Sequence, residues 1–267
     1  MKFSFAPFIA VAAALAFPLS GRAQVILSTV AGANTYTQNF NTLPSTGNPA
    51  WTDNSTLPGW YATTATTGGF TGQIVATSGA NSNFLASFGS SGSADRSLGA
   101  NPGGENKAWG LRLQNNGSAT ISLDNIAYRG EMWRQGTNLT AQTVSFSYAT
   151  STAPITNLTG NTYTAFAALN FSSPNTTTAA DTSVDGNAAG NFVNVTSATS
   201  ILLAPGSEIM LRFSYPDGAG NDDNLGVDDF VLNYSVAVPE PSTLLSGGLC
   251  LVVCAGVLWR RRGAATA

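Results

Sequence analysis

The chain has 267 residues, no histidine, only 9% charged side chains and a formal charge of −3. Without histidine, Ser-His-Asp and Cys-His catalytic pairs and every His-ligated zinc or iron site are excluded. Residues 24–235 hold six basic against thirteen acidic side chains, so this body lacks the basic footprint that nucleic acid or an anionic membrane surface requires.

At the N-terminus, Lys2 precedes the apolar run FIAVAAALAF (8–17), which Pro18 breaks before the small residues Ser20, Gly21 and Ala23. That order predicts a secretory signal peptide over 1–23, recognised by the Sec export machinery. The run is too short to span a bilayer comfortably.

From 24 to 235 the dominant pattern is period two. Trp109, Leu111 and Leu113 alternate with Arg112 and Gln114 in KAWGLRLQN. Val144, Phe146 and Tyr148 alternate with serines in TVSFSYA, and Ile209, Leu211, Phe213 and Tyr215 share one face of EIMLRFSY. Phe230, Leu232 and Tyr234 do the same in DDFVLNY. Such alternation predicts half-buried strands. Further strands are expected in VILSTV, TYTQNF, PGWYAT, GQIVATS, FLASFG, ATISLDNIAYRGEMW and FVNVTSATSILL. Stretches rich in Gly, Pro, Asn and Asp separate them, as turns require. No segment combines helical periodicity with both caps. The expected fold is all-β: one antiparallel β-sandwich of jelly-roll type over 24–235. Both cysteines, Cys250 and Cys254, lie beyond it, so the body has no disulfide.

Three constellations could carry chemistry. The first is the acidic stretch SYPDGAGNDDNLGVDDF, with Asp217, Asn221, Asp222, Asp223, Asp228 and Asp229. Oxygen ligands clustered on a loop suit Ca²⁺, although the spacing is not that of an EF-hand. A polar turn, with these side chains bonded to nearby backbone N–H groups, explains the same residues. Asp228, in phase with Phe230 and Leu232, is expected to point inward, where a carboxylate needs donors or a metal. No cofactor is required by the sequence, and a structural Ca²⁺ is the one it admits. The second constellation is aromatic. Trp51, in a loop, and Trp60, after a Pro-Gly turn, are expected at the surface; with Tyr61 and Trp133 they are candidates for stacking on sugars. Trp109 is expected in the core. The third is Glu131 in YRGEMWRQG, which shares a strand face with Arg129 and Trp133. It is the best single carboxylate for polysaccharide hydrolysis, with an ion pair to Arg129 as the competing reading.

The C-terminal stretch is Pro239-Glu240-Pro241, an uncharged run of seventeen residues from Thr243 to Trp259, then Arg260-Arg261-Arg262. The run is at the short end for a membrane-spanning helix, and the arginines would hold its far end in the cytoplasm. Those residues resemble the PEP-CTERM sorting signal of Gram-negative bacteria, also known as an ice-binding-protein C-terminal segment. The resemblance covers 236–267. It implies export, transient inner-membrane anchoring, processing by an exosortase, and a surface or extracellular-matrix fate.

The body more loosely resembles jelly-roll domains of exported bacterial proteins through TQNFNTLPSTG, LPGWY, RGEMWRQG and NLGVDDFVLNY. That resemblance implies a fold and, for some members, binding of carbohydrate or Ca²⁺. The expected role is therefore non-catalytic: adhesion, matrix structure or glycan binding, with extracellular polysaccharide as a partner. A hydrolase using Glu131 is the alternative. Ice binding is disfavoured, because a flat ice-binding face needs regularly repeated Thr and the body shows none.

Overall fold

The structure is a computed structural model that describes residues 25–66, 69–177 and 181–237. The predicted signal peptide (1–23), the membrane helix (243–259), Pro239-Glu240-Pro241 and Arg260-Arg261-Arg262 lie outside the described residues. Among the described residues no helix is long and apolar enough to cross a membrane.

Two sheets form a sandwich. The first contains β1 (Val25–Ile26), β3 (Trp60–Ala62), β7 (Lys107–Gln114), β9 (Thr143–Ser151), β10 (Thr164–Ala165), β11 (Phe171–Ser172) and β14 (Glu208–Tyr215). Its centre is β7-β14-β9, antiparallel throughout. The second contains β2 (Gly32–Gln38), β4 (Ile74–Thr77), β5 (Phe84–Phe88), β6 (Ser97–Asn101), β8 (Ile121–Gln135), β12 (Thr182–Ser183), β13 (Phe192–Leu203) and β15 (Asn224–Val236). There β15 pairs with β8 along one edge and with β2 and β6 along the other. Two short pairs, β1 with β7 and β4 with β5, are parallel. The architecture is the all-β sandwich that the alternation predicts.

The inner faces meet in one large apolar core. Leu111, Phe146 and Phe213 from the first sheet pack with Leu123, Tyr128, Phe230 and Leu232 from the second. Phe213 is its aromatic hub, edge-on to Tyr128 and to Phe146, each with centroids 5.2 Å apart. This edge-to-face geometry suits the ring quadrupoles.

Each sheet also buries part of its outer face. Met210 of β14 is covered by Tyr61, Ile155 and Leu158. On the second sheet Trp133 packs with Val75, Phe84, Ala86 and Phe88. That explains why FLASF is buried at every position rather than alternately.

The last strand departs from simple alternation. Leu225 and Val227 reach the core, as do Phe230, Leu232 and Tyr234. Odd and even positions both point inward because a register shift against β8 falls between Asp228 and Val231, with Asp229 at φ 48°. A bulge inserts one extra residue and inverts the phase. Asp228 is therefore not aimed into the inter-sheet core, contrary to the strict alternation; it is buried on the opposite face of β15.

Candidate ligand sites

The six residues of the acidic stretch do not form one cluster. Asp217, Asn221, Asp222 and Asp223 occupy the β14–β15 connection; Asp228 and Asp229 sit at the bulge. Asp223 is buried and accepts the Gly136 N–H at 2.7 Å and the Ser173 hydroxyl. Asp222 is buried, and its Oδ1 accepts the Gly218 N–H at 3.1 Å and the Gln142 amide. Its Oδ2 is buried without a hydrogen-bond partner. Burial, with the nearby Asp217 carboxylate adding to it, raises the Asp222 pKa. Asp217 accepts the Gly104 N–H at 2.6 Å, and Asn221 donates to Asp181 Oδ2 at 2.8 Å. Most of these oxygens are thus bonded to donors, as a polar turn requires. Among the described residues no group of three His, Cys, Asp or Glu is placed to hold a metal ion.

Asp228 instead shares the outer face of the second sheet with Glu131. Glu131 is 1% exposed; its Oε2 accepts the Trp133 indole N–H at 2.9 Å and its Oε1 lies 3.3 Å from Arg129 Nε. Arg129 stacks over Phe192, 3.8 Å from the ring centroid, and donates to Asn187 O at 3.2 Å. Burial pushes the Glu131 carboxyl up to about 7, against the pull of Trp133, Ser97 and Arg129. Burial, and then the Glu131 charge, pushes Asp228 up to about 8. The ion pair with Arg129 that competes with catalysis is present.

The four candidate stacking rings are all buried: Trp51 is 8% exposed, Trp60 0%, Tyr61 2% and Trp133 1%. The expectation of surface exposure for Trp51 and Trp60 is corrected. Trp60 lies in the core, edge-on to Phe40 at 4.8 Å. Trp51 folds back over its own turn and donates to Asp53 at 2.7 Å. Tyr61 accepts a hydrogen bond from Arg112 at 3.1 Å. A nearby turn does not imply exposure: Trp60 opens β3, and both Trp51 and Trp60 belong to the main core. Trp133 stacks on Phe88 with centroids 6.4 Å apart, and Gly186 covers it: a Cβ there would lie 2.4 Å from its Cε2. As expected, Trp109 is in the core.

Two neighbouring depressions lie on this side of the second sheet. One, of about 300 Å³, is lined by Trp133, Ser90, Ser183 and Asp185; the other, of about 230 Å³, by Ser45, Thr77 and Arg96. Ser78 and Ser91 line both. Arg96 is 1% exposed. It bonds through Nε to Ser87 Oγ at 2.9 Å, through Nη2 to Ser87 O, and through Nη1 to Ser90 O at 3.5 Å. Gly89 makes room for it, since a Cβ there would lie 2.3 Å from Nη1. Sequence reasoning missed this arginine. Its only signal was a lone cation between a Gly/Ser-rich turn and a strand, which by itself reads as a solvated charge.

The fold and these polar depressions define a β-sandwich domain with surface recesses. At its C-terminal border the chain carries a PEP-CTERM protein-sorting motif, matched over residues 237–262. No curated protein matches the chain in sequence. Among solved structures it is similar to the K3 cleaved adhesin domain of Lys-gingipain from Porphyromonas gingivalis. The identity is 13%, the match covers 74% of this chain and 97% of that one, and the TM-score is 0.39. It is also similar to TmCBM61 in complex with β-1,4-galactotriose: 12% identity, 73% and 92% coverage, TM-score 0.28.

Proposed function

We propose that this chain is exported and held at the cell surface or in the extracellular matrix of a Gram-negative bacterium. Its role there is adhesive, structural or glycan-binding, and non-catalytic. The sorting motif carries this reading. It begins at Ala237, one residue after β15 ends at Val236. Processing by an exosortase near Pro239-Glu240-Pro241 would therefore leave every described strand in place, including β15 at the centre of its sheet. The signal-peptide pattern of 1–23, read by the Sec machinery, and the apolar run 243–259 with its arginines support the same route: insertion, transient anchoring, then release of the folded body outward.

The hydrolase reading is not taken up, because Glu131 is as buried as the core and its carboxylate is held by Trp133 and Arg129. A Ca²⁺ reading narrows to Asp217 and Asp222, the two carboxylates left facing one another.

The test is the mass and location of the mature protein in its native host, with and without the exosortase. The expected product lacks both ends and sits at the surface or in the matrix, and loss of the exosortase leaves the C-terminal run attached. A full-length cytoplasmic protein, or a C-terminus indifferent to the exosortase, would overturn the proposal.

A further inference from the structure

Arg96 poses a physical problem that the fold leaves open. A buried guanidinium is costly unless an anion compensates it. Among the described residues Arg96 makes no ion pair. Its partners are the hydroxyl and carbonyl of Ser87 and, at 3.5 Å, the carbonyl of Ser90. Neutral oxygens satisfy part of its five-donor fork, and the adjacent Asp95 charge offsets part of the burial cost without outweighing it. The neighbouring Asp95 does not close on it: Asp95 Oδ2 takes the Asn187 amide at 2.8 Å. Arg96 nevertheless lines an open recess of about 230 Å³. The buried cation is therefore presented to a space that a ligand can enter.

The recess is not isolated. Through Ser78 and Ser91 it continues into the depression of about 300 Å³ beside Trp133. Together they fall within the range of small-ligand sites, roughly 300–1,000 Å³. The chemistry changes along the groove. At one end lies a cation; in the middle are the exposed hydroxyls of Ser78 and Ser91; at the other end are Ser90, Ser183 and the acceptor Asp185, with Trp133 buried beneath them. A carboxylate suits the first, and sugar hydroxyls suit the second and third.

We infer that this groove binds an acidic polysaccharide, with a uronate carboxylate at the Arg96 end and the adjoining sugar against the exposed Ser78, Ser91 and Ser183. The inference rests on the surface-or-matrix reading above and gives it a ligand class and an address.

The test is titration of the full-length protein with oligogalacturonate and oligomannuronate, each against its methyl ester. The acid form of at least one is expected to bind about tenfold or more tighter than its ester, the scale of one charge-assisted hydrogen-bond pair. Since Arg96→Gln removes bonds that hold the 87–96 turn, Ser91→Glu is the cleaner variant. Ser91 is exposed, so the thermal midpoint should hold while the added negative charge costs about tenfold or more in affinity for the acid. Equal binding of acid and ester, an unaffected Ser91→Glu variant, or no binding of either oligouronate overturns the groove. None of those results moves the protein from the cell surface, which the mass and location experiment reads separately.

Discussion

Glu131 and Asp228 are two buried carboxyls on adjacent strands of the second sheet, and the Glu131 charge raises the proton affinity of Asp228, while Arg129 pairs with Glu131. Gly226 stands opposite Glu131, and Asp228 stands opposite Arg129. The bulge at Asp229 creates this arrangement by turning Asp228 away from the core. Both acids are kept near neutrality by burial, one at about 7 and the other at about 8.

The sign of the pH dependence follows. Both folded-state values lie above the ordinary carboxyl range of about 4, so the folded state binds more protons than the unfolded one between roughly pH 4 and pH 8. Stability is full at the acid end of that window and falls as pH rises through 7 and 8. Thermal unfolding at pH 5.0 and 8.5 should show a lower midpoint at the alkaline pH. Asp228→Asn removes one of the two titrating groups, so the difference between the two pH values should shrink. An unchanged difference would contradict the raised proton affinity of Asp228.

Arg112 and Glu208 form a bidentate pair, Nε to Oε2 at 2.9 Å and Nη2 to Oε1 at 2.6 Å, with both side chains about 5% exposed. The Ile155 N–H also donates to Glu208 at 2.7 Å, and Tyr61 accepts from Arg112. Either single substitution, Arg112→Met or Glu208→Leu, leaves a buried charge and should cost about 3–5 kcal/mol in denaturant unfolding. The double substitution should recover most of that loss, because no charge is then left buried.

Gly186 is the only residue size that Trp133 tolerates in the segment above it. Gly186→Ala should destabilise by about 1–3 kcal/mol through overpacking, with a change in indole fluorescence reporting the displaced contact. Gly104, at φ 101°, has open space at its Cβ position. Gly104→Ala there costs backbone strain but should leave that fluorescence unchanged.

Asp222 tests what the β14–β15 connection does with its surplus charge. In Asp222→Asn, Oδ1 still accepts from Gly218 and Gln142, while an amide replaces the unpartnered Oδ2 beside Asp217. In calcium-free buffer the variant should be more stable than the parent by about 1 kcal/mol. If Asp217 and Asp222 hold Ca²⁺, millimolar calcium raises the parent's midpoint and not the variant's. No response in the parent leaves the polar turn as the full account.

Much of the fold was legible from the chain. β7, β9, β14 and β15 announce themselves because a half-buried strand must alternate, and their apolar positions are those that reach the core. The candidate sites were less legible. The phase of Asp228 depended on one extra residue in a bulge, which period-two counting cannot see. Trp51 and Trp60 carried turn signals, but Trp60 opens β3 and is paired with Leu111 of β7, and both rings pack into the main core. Arg96 looked like an ordinary surface cation until β5, its turn and β6 closed around it.

By itself, then, the sequence determined the strand-rich body, the absence of histidine chemistry and the C-terminal sorting motif. All three are written in composition, local spacing and contiguous residues. Tertiary structure alone decided which charges are buried and beside what. Burial depends on residues distant in the chain: Trp133 against Phe88 and Gly186, Asp228 against Glu131, and Arg96 against Ser87 and Ser90. A charge's cost is set by those surroundings, not by its neighbours in sequence.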